Sequence, residues 1–194
     1  MRPLDSASLM TAERCTTRGK IRHTMGMNFR ELNPSDAAAY WNVRLEALET
    51  EREAFGKAPE EFRVLSVEDM ATRLRDMSDG SFCMGGFDGE ALIGIATFIR
   101  ETRVKEQHKA HIYGVYVKAS HRGRGVGRAL MQQVLDRARP QAGLDHILLA
   151  VATTNTTAFE LYRSLGFETW GTEPHALRVG DKFVDEHQMV LRLR

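Results

Sequence analysis

The apolar positions of this chain change period several times, and each change marks an element. NFREL (28–32) alternates as a short edge strand. Asn33-Pro34-Ser35-Asp36 then offers a cap candidate and a proline near a first turn, and Tyr40, Trp41, Val43, Leu45 and Leu48 follow at helical spacing to about Glu51. The stretch EREAFGKAPEEF (51–62) reads as a loop, punctuated by Gly56 and Pro59. Ser66 with Asp69 forms a capping-box candidate for a second helix through about Met77.

From Ser81 the period falls to two. FCMGGF and EALIGIATFIRE flank Asp88-Gly89, a strong hairpin signal. The polar segment 100–109 leads into a strand at 110–117, and a helix follows to about Arg139 with Val126, Leu130, Val134, Leu135 and Ala138 on its apolar side. HILLAVAT (146–153) is a continuous apolar run, as expected of a strand buried on both faces. Strand, crossover helix and strand make one right-handed parallel unit. Thr154-Asn155-Thr156-Thr157 caps a short helix that stops at Gly166, and two further strands turn at Gly180-Asp181. The order β-α-α-β-β-β-α-β-α-β-β predicts an α/β fold with a mixed, mostly antiparallel sheet, helices on both faces and one parallel pair in the middle.

Residues 1–26 show no periodic apolar pattern, and they read as an N-terminal extension to a domain spanning 27–194. Their basic character invites comparison with a transit peptide, but Asp5, Glu13 and the lack of an amphipathic face argue against one. Met25 and Met27, just before the first patterned segment, suggest instead a translation start placed too far upstream.

With 194 residues and 42% hydrophobic content, the chain suits one domain with a substantial core. Its net charge of +1 gives no reason to expect a nucleic-acid partner. No apolar run reaches the ~18 residues that a spanning helix needs, so no membrane partner is expected. Cys15 and Cys83 form neither a metal-ligand spacing nor a disulfide framework, which fits the reducing cytoplasm.

The chemistry concentrates in HIYGVYVKASHRGRGVGR (111–128). A β-branched and aromatic strand runs into Gly123, Gly125 and Gly127 interleaved with Arg122, Arg124 and Arg128, and a helix starts at once. Such a turn presents backbone N–H groups, a helix N-terminus and fixed positive charge to a phosphate. The Lys-Ser/Thr pair of a Walker loop is missing, and the glycines run GxGxG rather than GxGxxG. Arg122-Gly123-Arg124-Gly125-Val126-Gly127 instead resembles the Arg/Gln-x-x-Gly-x-Gly/Ala turn that binds the coenzyme A pyrophosphate in the GNAT superfamily of acetyltransferases. Asn155-x-x-Ala158-x-x-x-Tyr162-x-x-x-Gly166-Phe167 resembles a second motif of that superfamily, at the expected distance and on the expected helix. The resemblance covers roughly residues 28–193.

The resemblance implies the GNAT fold, in which the central parallel strands splay and the pantetheine arm of acetyl-CoA enters between them. It implies that backbone groups of Val115, Tyr116 and Val117 meet that arm. It places Arg122, Gly123, Arg124, Gly125, Val126, Gly127 and Arg128 at the pyrophosphate, and Asn155, Ala158 and Tyr162 elsewhere along the coenzyme, with Asn155 supporting its arm, capping its own helix, or both. Gly114 is suggestive in its own right, since a glycine inside a strand often marks a bulge or simply makes room for a packed aromatic. Tyr162 takes the position of the general acid for the departing thiolate; a phenol of pKa ~10 keeps its proton and can give it to a thiolate of pKa ~8.5. The alternative is a core tyrosine on an amphipathic helix.

An attacking ammonium of pKa ~10.4 must first lose a proton. His111, six residues before Val117, takes a position where some members of the superfamily carry a base. Glu173, Glu186, His187 and a water chain compete with it. The acceptor pocket is expected from the first helices, the 55–64 loop and the last strand pair. Glu46, Glu49 and Glu51 either attract a cationic amine or form a solvated face. The resulting expectation is an acetyl-CoA-dependent N-acetyltransferase acting directly on a primary amine, without a metal; a homodimer is left open. The competing expectation is a non-catalytic acyl-CoA sensor.

Overall fold

The computed structural model describes residues 26–193. The expected extension therefore lies outside the described residues except for Gly26, as does Cys15. In chain order the strands are β1 (Met27–Glu31), β2 (Phe82–Asp88), β3 (Ala91–Arg100), β4 (Lys109–Val117), β5 (His146–Ala152), β6 (Glu168–Val179) and β7 (Lys182–Arg192). The helices are α1 (Ala37–Thr50), α2 (Pro59–Arg63), α3 (Val67–Arg75), α4 (Val126–Ala138) and α5 (Thr156–Ser164). The strands make one sheet in the order β1-β2-β3-β4-β5-β7-β6, antiparallel except between β4 and β5. This is the mixed sheet, with its one parallel pair, that the hydrophobic pattern predicts.

Local chemistry accounts for where the elements begin. Asn33 Oδ1 accepts the Ser35 N–H at 2.9 Å, and the Asp36 carboxylate accepts the Asn33 N–H at 2.9 Å. Together they wind one 3-10 turn, Pro34–Asp36, that leads into α1. Ser66 and Asp69 form the expected capping box at the start of α3. The stretch 51–62 departs from expectation: it holds a single 3-10 turn at Arg52–Ala54 and the start of α2. Pro59 sits in the first turn of that helix, and Glu61 reaches back to accept the Ala58 N–H at 3.0 Å. Phe62 is thereby buried against Trp41, with ring centroids 6.0 Å apart.

The alternation of the strands divides the core between two faces of the sheet. On one face Met84, Ala96, Phe98 and Ile112 meet Leu130, Met131, Val134 and Leu135 of α4 and Tyr162 of α5. On the other, Cys83, Ile95 and Tyr116 meet Val43 and Ala47 of α1, beyond which Leu48, Phe62 and Met70 join α1, α2 and α3. Ile112 and Tyr116 would share a face on a regular strand, yet they lie on opposite ones. The reason is a bulge. Ile95 pairs with Tyr116 and Thr97 with Tyr113, so Gly114 and Val115 together oppose Ala96. Gly114 takes φ +63°, a conformation that favours glycine.

The parallel contact is short. β4 and β5 pair only from Lys109–His146 to His111–Leu148. Beyond that point β5 continues to pair with β7 along its whole length, from His146–Arg192 to Ala152–Glu186. Above the third rung, β4 stays with β3, β5 stays with β7, and a wedge opens between them.

The entry to α1 yields a stability prediction. Both guanidinium nitrogens of Arg30 lie 2.7 Å from Asp36, a carboxylate that is 9% exposed. The Arg30 hydrogen bonds, aided by the Asn33 N–H, hold its carboxyl below the usual range. The contribution is therefore present above the unfolded-state pKa of about 3.9 and is lost as pH falls through the lower folded value. Asp36→Ala should cost on the order of 1–2 kcal/mol at pH 7, discounted because Arg30 is half exposed. Urea denaturation of both proteins should show the gap narrowing below about pH 4; a gap independent of pH would refute the linkage.

Candidate active site

The wedge between β4 and β5 opens into two cavities. The first, of about 400 Å³, lies between Ile112–Val115 on one wall and Leu149–Ala152 on the other. Arg44 from α1, Tyr162 from α5, Glu186 from β7 and the segment Ala54–Lys57 complete it, with Leu177 of β6 packed on Gly56. The second, of about 890 Å³, runs along Val115–Val117 to the glycine turn. Val115, Ala152, Asn155, Ala158 and Tyr162 line both, so the two meet at Tyr162.

The turn is built for backbone approach. Gly123 and Gly125 take φ +73° and +82°, and a Cβ at either would meet nothing within 4 Å. The ridge is therefore bare, and a side chain there would be strained by the backbone rather than crowded. α4 starts at Val126, and Ala129 N–H donates to Gly125 O at 3.0 Å. The N–H groups of Val126, Gly127 and Arg128 thus belong to the first turn, which has no helical acceptor for them. Together with the helix dipole they fit an anionic ligand.

The arginines of the turn differ in placement. Arg122 is held in place: Nε donates to Val117 O at 2.9 Å, an Nη pairs with Glu51 at 2.8 Å, and the guanidinium lies 5.4 Å from the Tyr116 ring. Arg128 lines the larger cavity and donates to Ser164 Oγ at 2.7 Å. Arg124, expected at the same ligand, lines neither cavity.

The other expected residues can now be placed. Tyr162 is 6% exposed, and burial raises its phenol pKa, so it keeps its proton at neutral pH. Asn155 Oδ1 accepts the Ala158 N–H at 3.1 Å and so caps α5 at the junction of the cavities. Tyr116 lines the larger cavity, and its hydroxyl donates to Glu46 at 3.0 Å. His111 lies on the last paired rung of β4 and lines neither cavity. Its Nε2 is 3.4 Å from Glu101, its ring stacks on Tyr113, and burial lowers its pKa.

Of the competing bases, Glu173 is bound by Gln188 at 3.0 Å and His187 by Thr172 at 3.0 Å, and neither lines a cavity. Glu186 does line the smaller one, and its carboxyl pKa is raised by burial and by the Glu173 charge across the strand pair. The α1 carboxylates are committed elsewhere. Glu46 serves Tyr116 and Lys118, Glu49 pairs with Arg63, and Glu51 with Arg122.

Arg44 is the cavity residue that the sequence reading passes over. Its side chain shares the buried stripe of Tyr40 and Ala47, four and three residues away on α1. A charge on an apolar stripe was the available signal. Among the described residues, no group of three or more His, Cys, Asp or Glu stands where it could hold a metal ion. No helix of the described residues is long and apolar enough to cross a membrane.

Comparison with known proteins agrees with this geometry. The model of the acetyltransferase (GNAT) family matches residues 44–167. The L-amino acid N-acetyltransferase of Escherichia coli is 31% identical over 118 residues, 60% of this chain and 71% of that enzyme. An L-methionine sulfoximine/L-methionine sulfone acetyltransferase of Pseudomonas aeruginosa is 41% identical over 71 residues; the match takes 37% of this chain and spans only 39% of that relative. An acetyltransferase structure from Salmonella typhimurium, solved with its cofactor acetyl-CoA, superposes with a TM-score of 0.75 at 21% identity, covering 87% of this chain and 95% of that one. The splayed β4–β5 pair, the glycine turn at the head of α4 and the matched family model lead to one conclusion: this chain belongs to the GNAT acetyltransferase family.

Proposed function

We propose that the protein is an acetyl-CoA-dependent N-acetyltransferase that transfers the acetyl group directly to a primary amine. The observation that carries this reading is the meeting of the two cavities at Tyr162, one leading to bare backbone donors and the other holding Glu186. When bound, acetyl-CoA would supply an acetyl thioester whose C–S bond is exchanged for an amide C–N bond. The N–H groups of Val126, Gly127 and Arg128, with the charge of Arg122 and Arg128, would hold its pyrophosphate. The β4 backbone from Gly114 to Val117, parted from β5, would meet its arm.

The chain's own groups then divide the proton transfers. Glu186, with its pKa raised, takes the proton from the incoming ammonium. Tyr162 keeps its hydroxyl proton for the departing sulfur. Direct transfer is favoured because Cys83, the one described cysteine, lines neither cavity and burial pushes its thiol up to about 12. Relatives named for L-amino acids and for L-methionine sulfoximine make a small amine the natural first acceptor.

Acetyl-CoA at 100 times its Kd should stabilise the protein by ~2.7 kcal/mol. Tyr162→Phe should keep that melting shift to within a few tenths of a kcal/mol, because the ring and its packing remain. Turnover should nevertheless fall, on the order of 10²–10⁴-fold in kcat. Undiminished turnover would reduce Tyr162 to a core residue. Binding of acetyl-CoA by the wild type without turnover on any amine would favour a sensor.

Glu186→Gln separates the candidate bases. It should lower kcat/KM by ~10²-fold or more and remove the acidic limb of the pH profile, since activity needs the carboxylate and rises with pH through its raised pKa. His111→Ala should leave that limb in place. The opposite pattern would return the role to His111.

A further inference from the structure

Arg44 is held by α1 in the smaller cavity, and the protein offers its guanidinium no anion. Nη1 is shut off from solvent and has no hydrogen-bond partner among the described residues. The guanidinium lies 4.5 Å from the Phe55 ring centroid, and a ring face does not replace a hydrogen-bond acceptor. Burial lowers its pKa, but an arginine keeps its charge in proteins. The two ionisable groups whose charge would act on it, Tyr40 and Cys83, are each pushed by burial up to about 12 and stay neutral. No ion pair joins Arg44 to Glu186, although both line the cavity.

Space has been left for this group. A Cβ on Gly114 would stand 3.2 Å from Nη1, tighter than ordinary contact. The glycine of the bulge thus serves both the turn of β4 and the seat of Arg44. The next residue, Val115, lies where the two cavities join. An anion on Arg44 and an amine near the junction would thus be held in neighbouring parts of one cavity. Phe55, Leu149, Val151 and Leu177 give the cavity apolar walls, and Lys57 adds a second cation to its lining.

We propose that Arg44 is the specificity-determining residue for the acceptor, binding its carboxylate, and that the acceptor is a small α-amino acid with an uncharged side chain whose amine faces Glu186. A guanidinium matches a carboxylate with two parallel hydrogen bonds, and the cavity of about 400 Å³ suits a molecule of this size. The proposal rests on the acetyltransferase reading, and its test can tell the two apart.

The test uses L-leucine, L-methionine and L-phenylalanine, each paired with the amine that lacks its carboxylate. Binding is read as a melting shift of the coenzyme A-saturated protein, and turnover as thiol release from acetyl-CoA. The amino acids should bind and react at least about tenfold better than their partners, as expected for lost hydrogen bonds to a charged group. Arg44→Met should erase that preference while keeping the acetyl-CoA melting shift, and Arg44→Lys should retain part of it. Equal treatment of the paired molecules, a preference that survives in Arg44→Met, or no amino acid binding to the wild type would each overturn the proposal. A protein that binds amino acids through Arg44 but is not stabilised by acetyl-CoA would overturn the transferase reading and leave the carboxylate site standing.

Discussion

The structure depends on a conflict over β5. This strand has two neighbours and keeps full register with only one of them, β7, along all seven of its residues from His146 to Ala152. β4 is committed to β3 on its other side, with the Gly114 bulge between the Thr97–Tyr113 and Ile95–Tyr116 pairs. A flat continuous sheet would satisfy every backbone group and leave no site. Here the conflict strips the facing edges of β4 and β5 of partners beyond the third rung. Unpaired backbone groups inside a fold need partners, and a ligand lying in the wedge is one way to supply them.

Charge is arranged around that wedge with the same economy. Most of the acidic residues near it are already matched: Glu46 by Tyr116 and Lys118, Glu49 by Arg63, Glu51 by Arg122. These pairs tie α1 and its C-terminal end to β4, to α2 and to the glycine turn. Arg44 and Glu186, neither of them in an ion pair among the described residues, both line the smaller cavity. A buried guanidinium nitrogen that the surrounding residues leave without an acceptor has the character of a site rather than of poor packing.

Much of this was legible in the sequence, for identifiable reasons. Strand and helix periods are set locally, and the Ser66 capping box, the Asp88-Gly89 hairpin and the apolar run of β5 each carry their own signal. The glycine turn was legible because close backbone approach constrains residue type, and Asn155 because a helical cap does; Tyr162 stood out only through the resemblance of residues 155–167 to a motif of the superfamily. α2 was missed because its five residues are too few to show a period, although Pro59 and Glu61 marked its start. Arg44 was missed because whether a charge on a helix stripe is solvated or trapped depends on what packs opposite, here Phe55 and Gly114. The choice among His111, Glu173 and Glu186 was open for a related reason. Parity along β4 is broken by the bulge, and only the pairing of β7 with β5 brings Glu186 to the cavity.

One physical cause then acts on both proton-transfer groups of the proposed reaction. Burial in the wedge disfavours charge on any group placed there. For Tyr162 the charged form is the phenolate, so burial keeps the hydroxyl protonated and makes it a weaker acid than a free phenol. For Glu186 the charged form is the carboxylate, so burial, reinforced by Glu173, makes it hold a proton more tightly and thus a stronger base toward an ammonium. A single low-dielectric gap moves acid and base in the same direction on the pKa scale: it strengthens the base, while the acid must rely on alignment of its hydroxyl with the sulfur rather than on acid strength. The splay of β4 from β5 is thus at once the opening through the sheet and the source of the tuning.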